Sequence, residues 1–262
     1  MTTPPSTTVL KAFELLSLFL ERPLLGAGEA ARLLGTPRAS THRLLVTLRV
    51  AGVLESNDDG QYRLGLRLFE LGSFASLRRR LHDEAALPLE RLSSQVGLPV
   101  HLTVRDGVNL LCLEKVYHGA TDVPTRVGQR APLHDTAAGK MLLAHAPRAV
   151  IERYLTEPMT RLTPHTIVEP GRLLMQLDRI RDRGLAWERE ESCLGVASLA
   201  TGVWNHTAKI IAAISVSAAT LPDCRRLKSA EGPLIATAAE IQRRLGWVIT
   251  PDRRAKRRRL PA

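Results

Sequence analysis

Apolar residues in the first eighty positions recur at helical spacing. In TVLKAFELLSLFL (8–20), Thr8 is suited to cap a helix, and Val9, Phe13, Leu16 and Leu20 align on one face. Leu10, Leu15 and Leu18 carry apolar surface to other sides. A helix so apolar in so small a module needs cover on more than one face, and a second chain is the expected cover. A short helix follows over about 27–34, closed by Gly35, where a missing Cβ permits a left-handed cap. Ala31, four residues earlier, is small enough for another helix to cross closely. The next helix opens at Pro37 and runs to Gly52, with Thr41, Leu44, Leu45 and Leu48 on one face. Ser40, Arg43 and Thr47 lie on another face, with Arg38 and His42 nearby. Val53–Glu55 and Tyr62–Leu64 are short strands about the turn Asn57–Gly60. Helix, glycine turn, helix and hairpin in this order predict a winged helix-turn-helix; the first three alone would also suit an ordinary helical hairpin. Residues 64–81 continue as one or two helices ending in Arg78-Arg79-Arg80.

From about residue 82 strands join the pattern. A helix is expected over 82–96, ending at Gly97, then strands at 101–107, 109–116 and 125–127. Thr136 begins a helix, and further helices are read at 151–155 and 172–184. Strands at 185–190, 197–203 and 209–218 precede a last amphipathic helix over about 231–245. Its inner side is expected to be Leu234, Ile235, Ala238, Ile241 and Leu245. Helices and strands without strict alternation imply an α+β domain with a mainly antiparallel sheet. The division is then 1–70 winged helix-turn-helix, 71–81 linker helix, 82–250 second domain and 251–262 a basic, disordered tail.

Charge sharpens the picture. The net charge is +11, yet residues 81–250 hold 20 basic and 18 acidic side chains. Residues 1–80 hold 11 and 7, and residues 251–262 hold 6 and 1. A basic excess at both ends of a balanced centre suits nucleic-acid binding, although basic tails also serve solubility alone. Polar residues at the start of a recognition helix reach base edges and phosphates, which makes Arg38, Ser40, Thr41, His42, Arg43 and Thr47 candidate DNA contacts. Gln61 and Arg63 are the credible wing contacts, since Asp58 and Asp59 make the wing tip acidic. The MTTPPSTT start lacks a signal-peptide pattern, and no apolar run is long enough to span a membrane. Cys112, Cys193 and Cys224 are dispersed, so a cytoplasmic location is expected.

Candidate catalysis is thin. There is no GxSxG, HExxH or phosphate-binding glycine loop. Glu188, Glu190 and Glu191 cluster at a strand end, a pattern that more often marks a solvated edge. The neighbours His134 and Asp135 are weak evidence for a metal, so no metal, cofactor or enzyme activity is expected. Ser215 and Ser217 share one strand face and either line a polar pocket or meet water.

Three stretches resemble the IclR-type (isocitrate-lyase-regulator) family of bacterial transcriptional regulators. They are residues 36–72, the segment GQRAPLHDTAAGKMLLA (128–144) and the segment RGLAWEREESCLGVASLATGV (183–203), which precedes the ISVS strand. The second is similar to the family signature Gly-x-Arg-x-Pro-Leu-His-x-Thr-Ala-x-Gly-Lys. The resemblance spans roughly 8–248 and implies a winged helix, a linker helix and a GAF-like effector-binding domain. It further implies a homodimer or homotetramer on double-stranded operator DNA, acting as repressor or activator, with a small carboxylate or aromatic acid as effector. The implied effector residues are Ala137, Ala138, Gly139, Glu188, Ser198, Ser215 and Ser217. The free N–H groups of the helix after Thr136 would favour an anion there. Three departures stand out: Ala39-Ser40-Thr41 where members often have Ser-Thr-Val, and Glu188 and Ser198 where some have Asp and Cys. The alternative is an effector-independent architectural DNA-binding protein whose C-terminal domain only oligomerises.

Overall fold

Gly35 adopts φ +61°, and the amide of Thr36 returns to the Ala31 carbonyl at 3.1 Å. This left-handed stop turns the chain from one short helix into the next. A computed structural model describes residues 4–73, 76–117, 123–219 and 224–246. The chain divides into two units, Met1–Arg79 and Arg80–Ala262.

The first unit runs α1 (Thr7–Leu18), β1 (Leu25–Gly26), α2 (Ala27–Leu34), α3 (Arg38–Val50), β2 (Leu54–Ser56), β3 (Gln61–Leu64) and α4 (Leu66–Ser73). Its antiparallel sheet has the order β1-β3-β2. The two-residue strand β1 escapes pattern reading because it has no period; it exists only through pairing with Gln61 and Tyr62. Leu15, Phe19, Leu25, Ala30, Leu45, Leu54 and Tyr62 form the core. The inward stripe of α1 is therefore Leu15, continued by Phe19, whereas Val9, Phe13 and Leu20 are exposed. The apolar excess of α1 lies on its outer side.

The second unit begins in α5 (Ser76–Val96), one continuous helix. The expected break after Arg80 is absent: no glycine stands near it, and the helix runs on through Asp83 and Pro88; the division of units falls inside this helix. Then come β4 (Val100–Asp106), β5 (Asn109–Val116), β6 (Arg130–Pro132), α6 (Ala137–Ala144), α7 (Arg148–Thr156) and α8 (Pro170–Arg183). They are followed by β7 (Ala186–Arg189), β8 (Ala197–Trp204), β9 (Ile210–Ala218), α9 (Cys224–Ser229) and α10 (Glu231–Arg244). The six-stranded sheet is antiparallel throughout, in the order β6-β5-β4-β9-β8-β7. One face packs on α5, α9 and α10 through Leu89, Leu102, Leu199, Ile214, Leu227, Leu234 and Ile241. The other packs on α6, α7 and α8 through Leu133, Met141, Leu142, Tyr154, Leu173 and Leu177.

The strand expected at 125–127 is not formed. Lys115 Nζ donates to the carbonyls of Val123 (2.9 Å) and Thr125 (2.7 Å), so a side chain takes the acceptors a ladder would need. The sheet edge is β6 instead. Ile235 is 42% exposed: it lies one residue off the Leu234–Ala238–Ile241 stripe and is rotated away from the core. The basic tail lies outside the described residues.

Candidate functional site

The start of α3 is open to solvent. Arg38, Ser40, His42, Arg43 and Thr47 are exposed. Thr41, expected with them, is wholly buried, and this corrects its assignment. Its Oγ1 lies 2.7 Å from Thr36 Oγ1 and 3.3 Å from the Pro37 carbonyl, so the hydroxyl pins the first turn and does not face a partner. The first turn of α3 holds no acidic residue and begins with an arginine. Cations at the positive end of a helix dipole are unfavourable alone and become favourable once an anion joins them. On the wing, Arg63 is exposed but paired with Glu55, Nη2 to Oε2 at 2.9 Å. A phosphate would compete for a guanidinium that is already engaged.

In the second unit, α6 begins where Thr136 Oγ1 accepts the Gly139 amide at 3.0 Å. That corrects the expectation for Gly139, whose amide is committed to the cap. Its lack of a side chain is what matters: a Cβ there would lie 2.6 Å from Thr136 Oγ1 and 2.7 Å from the Leu133 carbonyl. Ala137 and Ala138 are buried in the first turn, where helix geometry leaves amides without intrahelical partners. The segment before the cap is fixed by His134. Its Nε2 donates to the Thr160 carbonyl (3.0 Å), while its Nδ1 accepts from Tyr154 Oη (2.7 Å). Tyr154 Oη also accepts the Leu133 amide at 3.0 Å. Burial lowers the His134 pKa and favours this neutral form. Both ring nitrogens are occupied, and among the described residues no cluster suits a metal ion.

Opposite α6, strand pairing aligns Glu188, Ser198 and Ser217 across β7, β8 and β9 on one sheet face. Ser198 Oγ and Ser217 Oγ are 2.9 Å apart. Ser215 lies on the same face, cross-strand from Ala200 on β8 and His101 on β4. All three serines are buried, so the pair on β9 does not form a solvated face. His101 Nε2 is 2.7 Å from Thr125 Oγ1. The structure thus gathers Ala137, Ala138, Glu188, Ser198, Ser215 and Ser217 into one polar layer between sheet and helix.

Two residues that sequence reasoning did not place in the site belong beside this layer. Lys140 is wholly buried and pairs with Glu191, Nζ to Oε1 at 2.5 Å. Asp135 is wholly buried as well. Glu188 Oε1 accepts the amides of Glu191 (2.8 Å) and Ser192 (3.2 Å). Desolvation pushes both Asp135 and Glu188 up to about 7. The turn carrying Glu191 is held by Thr163 and Thr166, whose hydroxyls donate to the Glu190 and Glu191 carbonyls at 2.5 and 2.7 Å. Glu190 itself takes a left-handed φ of +56°. On the outer side of Glu191, Gln176, Arg183, Trp187 and Arg189 line a cleft of about 470 Å³.

Comparison with known proteins agrees with this architecture. Residues 8–58 match the IclR helix-turn-helix domain, and residues 75–243 match the bacterial transcriptional regulator IclR C-terminal domain. The chain is 34% identical over 221 residues to the transcriptional regulator XynR of Escherichia coli, covering 83% of this chain and 88% of that one. It is 31% identical over 212 residues to KipR of Bacillus subtilis, covering 80% and 85%. An IclR homologue from Microbacterium hydrocarbonoxydans complexed with 4-hydroxybenzoate superposes with a TM-score of 0.85 at 28% identity, covering 92% of this chain and 99% of that one. The Thermotoga maritima IclR structure gives 0.74 at 29% identity, with the same coverage. These relatives are regulators and not enzymes, and no helix among the described residues is long and apolar enough to cross a membrane. The chain belongs to the IclR family of transcriptional regulators, with an N-terminal helix-turn-helix and a C-terminal effector domain.

Proposed function

We propose that this protein binds operator DNA as a homo-oligomer through the exposed start of α3, and that a small organic acid in the polar layer beside α6 tunes that binding. Arg38, Ser40, His42, Arg43 and Thr47 face the DNA, with Arg63 on the wing. The carboxylate of the effector meets the first-turn amides of α6 together with Ser198, Ser215 and Ser217. The observation that carries the reading is the row Glu188–Ser198–Ser217, a buried polar face inside an otherwise apolar core. A scaffold that only oligomerised would have no use for it. The 4-hydroxybenzoate held by the Microbacterium relative is an acid of the expected class. Exposed Val9, Leu10 and Phe13 on α1, with Leu66 and Phe69 on α4, supply apolar surface for a second copy.

The test is a titration of the full chain on its own upstream intergenic DNA at two salt concentrations, with and without small carboxylic acids. Sequence-specific binding that one acid shifts about fivefold or more is expected, matching a coupling of about 1 kcal/mol or more. Non-specific binding that collapses with salt and ignores every acid would overturn the reading in favour of an architectural protein.

A further inference from the structure

Three carboxyl groups face one ammonium beside the start of α6. Lys140 is paired with Glu191 Oε1. Asp135 and Glu188 are left without a cation partner of their own, at 0% and 1% exposure. Both oxygens of Asp135, Oε2 of Glu188 and Oε2 of Glu191 are buried and accept no hydrogen bond from another residue; the one amide close to the Asp135 carboxylate is its own. Buried carboxylate oxygens ordinarily have donors, and each can take two. The surrounding groups do not supply them. His134 is committed to Tyr154 and Thr160, His101 to Thr125, and Lys115 to the Val123 and Thr125 carbonyls. Arg183 and Arg189 lie along the cleft on the outer side of Glu191.

The layer therefore has two chemistries side by side. Serine hydroxyls and helix amides donate; Asp135 and Glu188 accept. We propose that the effector is a hydroxylated carboxylic acid, that Asp135 together with Glu188 Oε2 receives its hydroxyl, and that binding takes up a proton on the Asp135–Glu188 pair. This rests on the preceding reading, in which the layer holds an acid. A fourth carboxylate entering beside three would meet like charge in a poorly solvated site. Protonating one acid weakens that repulsion and turns an acceptor into a donor. Burial already holds both acids at about 7, so the proton is accessible near neutral pH. A hydroxyl both donates and accepts, and so serves the pair in either state. An ammonium on the ligand would instead favour ionised acids and drive protons out, so the sign of the linkage separates the two ligand types. Asp135 occupies an unspecified position of the family signature.

Calorimetry on the full chain at pH 7 tests this with 4-hydroxybenzoate against benzoate and glycerate against propanoate, each in two buffers of different ionisation heat. In at least one pair the hydroxylated member should bind roughly tenfold tighter or more, because its partner leaves buried acceptors unmet. Its buffer dependence should report net proton uptake. Asp135→Asn should shrink both the preference and the uptake, and Glu188→Gln provides a second variant should the first fold poorly. Equal affinities within both pairs, or net proton release, would overturn the inference while leaving an acid effector in place. Failure of all four acids to bind would overturn it together with the preceding reading.

Discussion

Two helix starts in this chain are prepared for anions in opposite ways. At α3 the first turn is exposed and basic, and its polar groups meet water. At α6 the first turn is buried, small and neutral, and the charges near it are acids around one lysine. The first suits a polymer whose charge is fixed and abundant, and screening by salt controls its strength. The second suits a single molecule that must be identified, and there desolvation makes protonation part of recognition. On the proposed reading, one helix end measures charge and the other hydrogen-bond pattern.

The hardest way to break the contrast is at Lys140. Lys140→Met leaves Glu191 buried without its cation and should destabilise the second unit by about 3–5 kcal/mol. Trp187 and Trp204 lie in strands of that unit and residues 1–79 contain no tryptophan, so urea unfolding followed by tryptophan fluorescence reads it selectively. A loss under about 1 kcal/mol would mean the pair does not hold the layer.

Proton linkage sharpens the contrast next. Asp135 has a folded pKa of about 7 against an ordinary 3.8, so folding favours its protonated form. Its stabilising share is complete below pH 4 and is lost as pH rises through 7. Asp135→Asn should thus stabilise the second unit by about 4 kcal/mol at pH 8, with the gain falling as pH drops and shrinking below about 1 kcal/mol by pH 4. A gain that does not change with pH would show that Asp135 is not the titrating group. The smallest effect belongs to the exposed helix. Arg43→Ala should weaken operator binding by about 1–3 kcal/mol if the side chain reads a base. Thr41→Val, at a position facing inward, should leave operator affinity within about twofold, a change under about 0.5 kcal/mol.

Much of the scaffold was legible in the sequence because local chemistry fixes it. Gly35 and Gly184 sit at left-handed helix stops, Thr136 caps α6, and the alternation in ISVS places both serines on one face. The acid layer was not legible, because its meaning depends on distant partners. Lys140 stands 51 residues from Glu191, and a lysine in a helix ordinarily reads as solvated. By pattern alone the Glu188–Glu191 cluster reads as a solvated edge, and only the resemblance marks Glu188; what periodicity cannot show is that the Thr163 and Thr166 hydroxyls hold the Glu190–Glu191 turn inward. The strand expected at 125–127 does not form for a related reason: a lysine side chain takes the Thr125 carbonyl together with that of Val123 just before it, and periodicity carries no trace of that.

Sheet register also constrains how such a sensor can be retuned. Glu188, Ser198 and Ser217 share a row because three strands are paired in one alignment, so moving any one side chain sideways moves a whole strand. Position 135 sits in a loop, outside every ladder, with a backbone already secured by its neighbour His134 and by the cap at Thr136. For an engineer redirecting the regulator to a new metabolite, that loop residue is a dial that turns without shifting the frame.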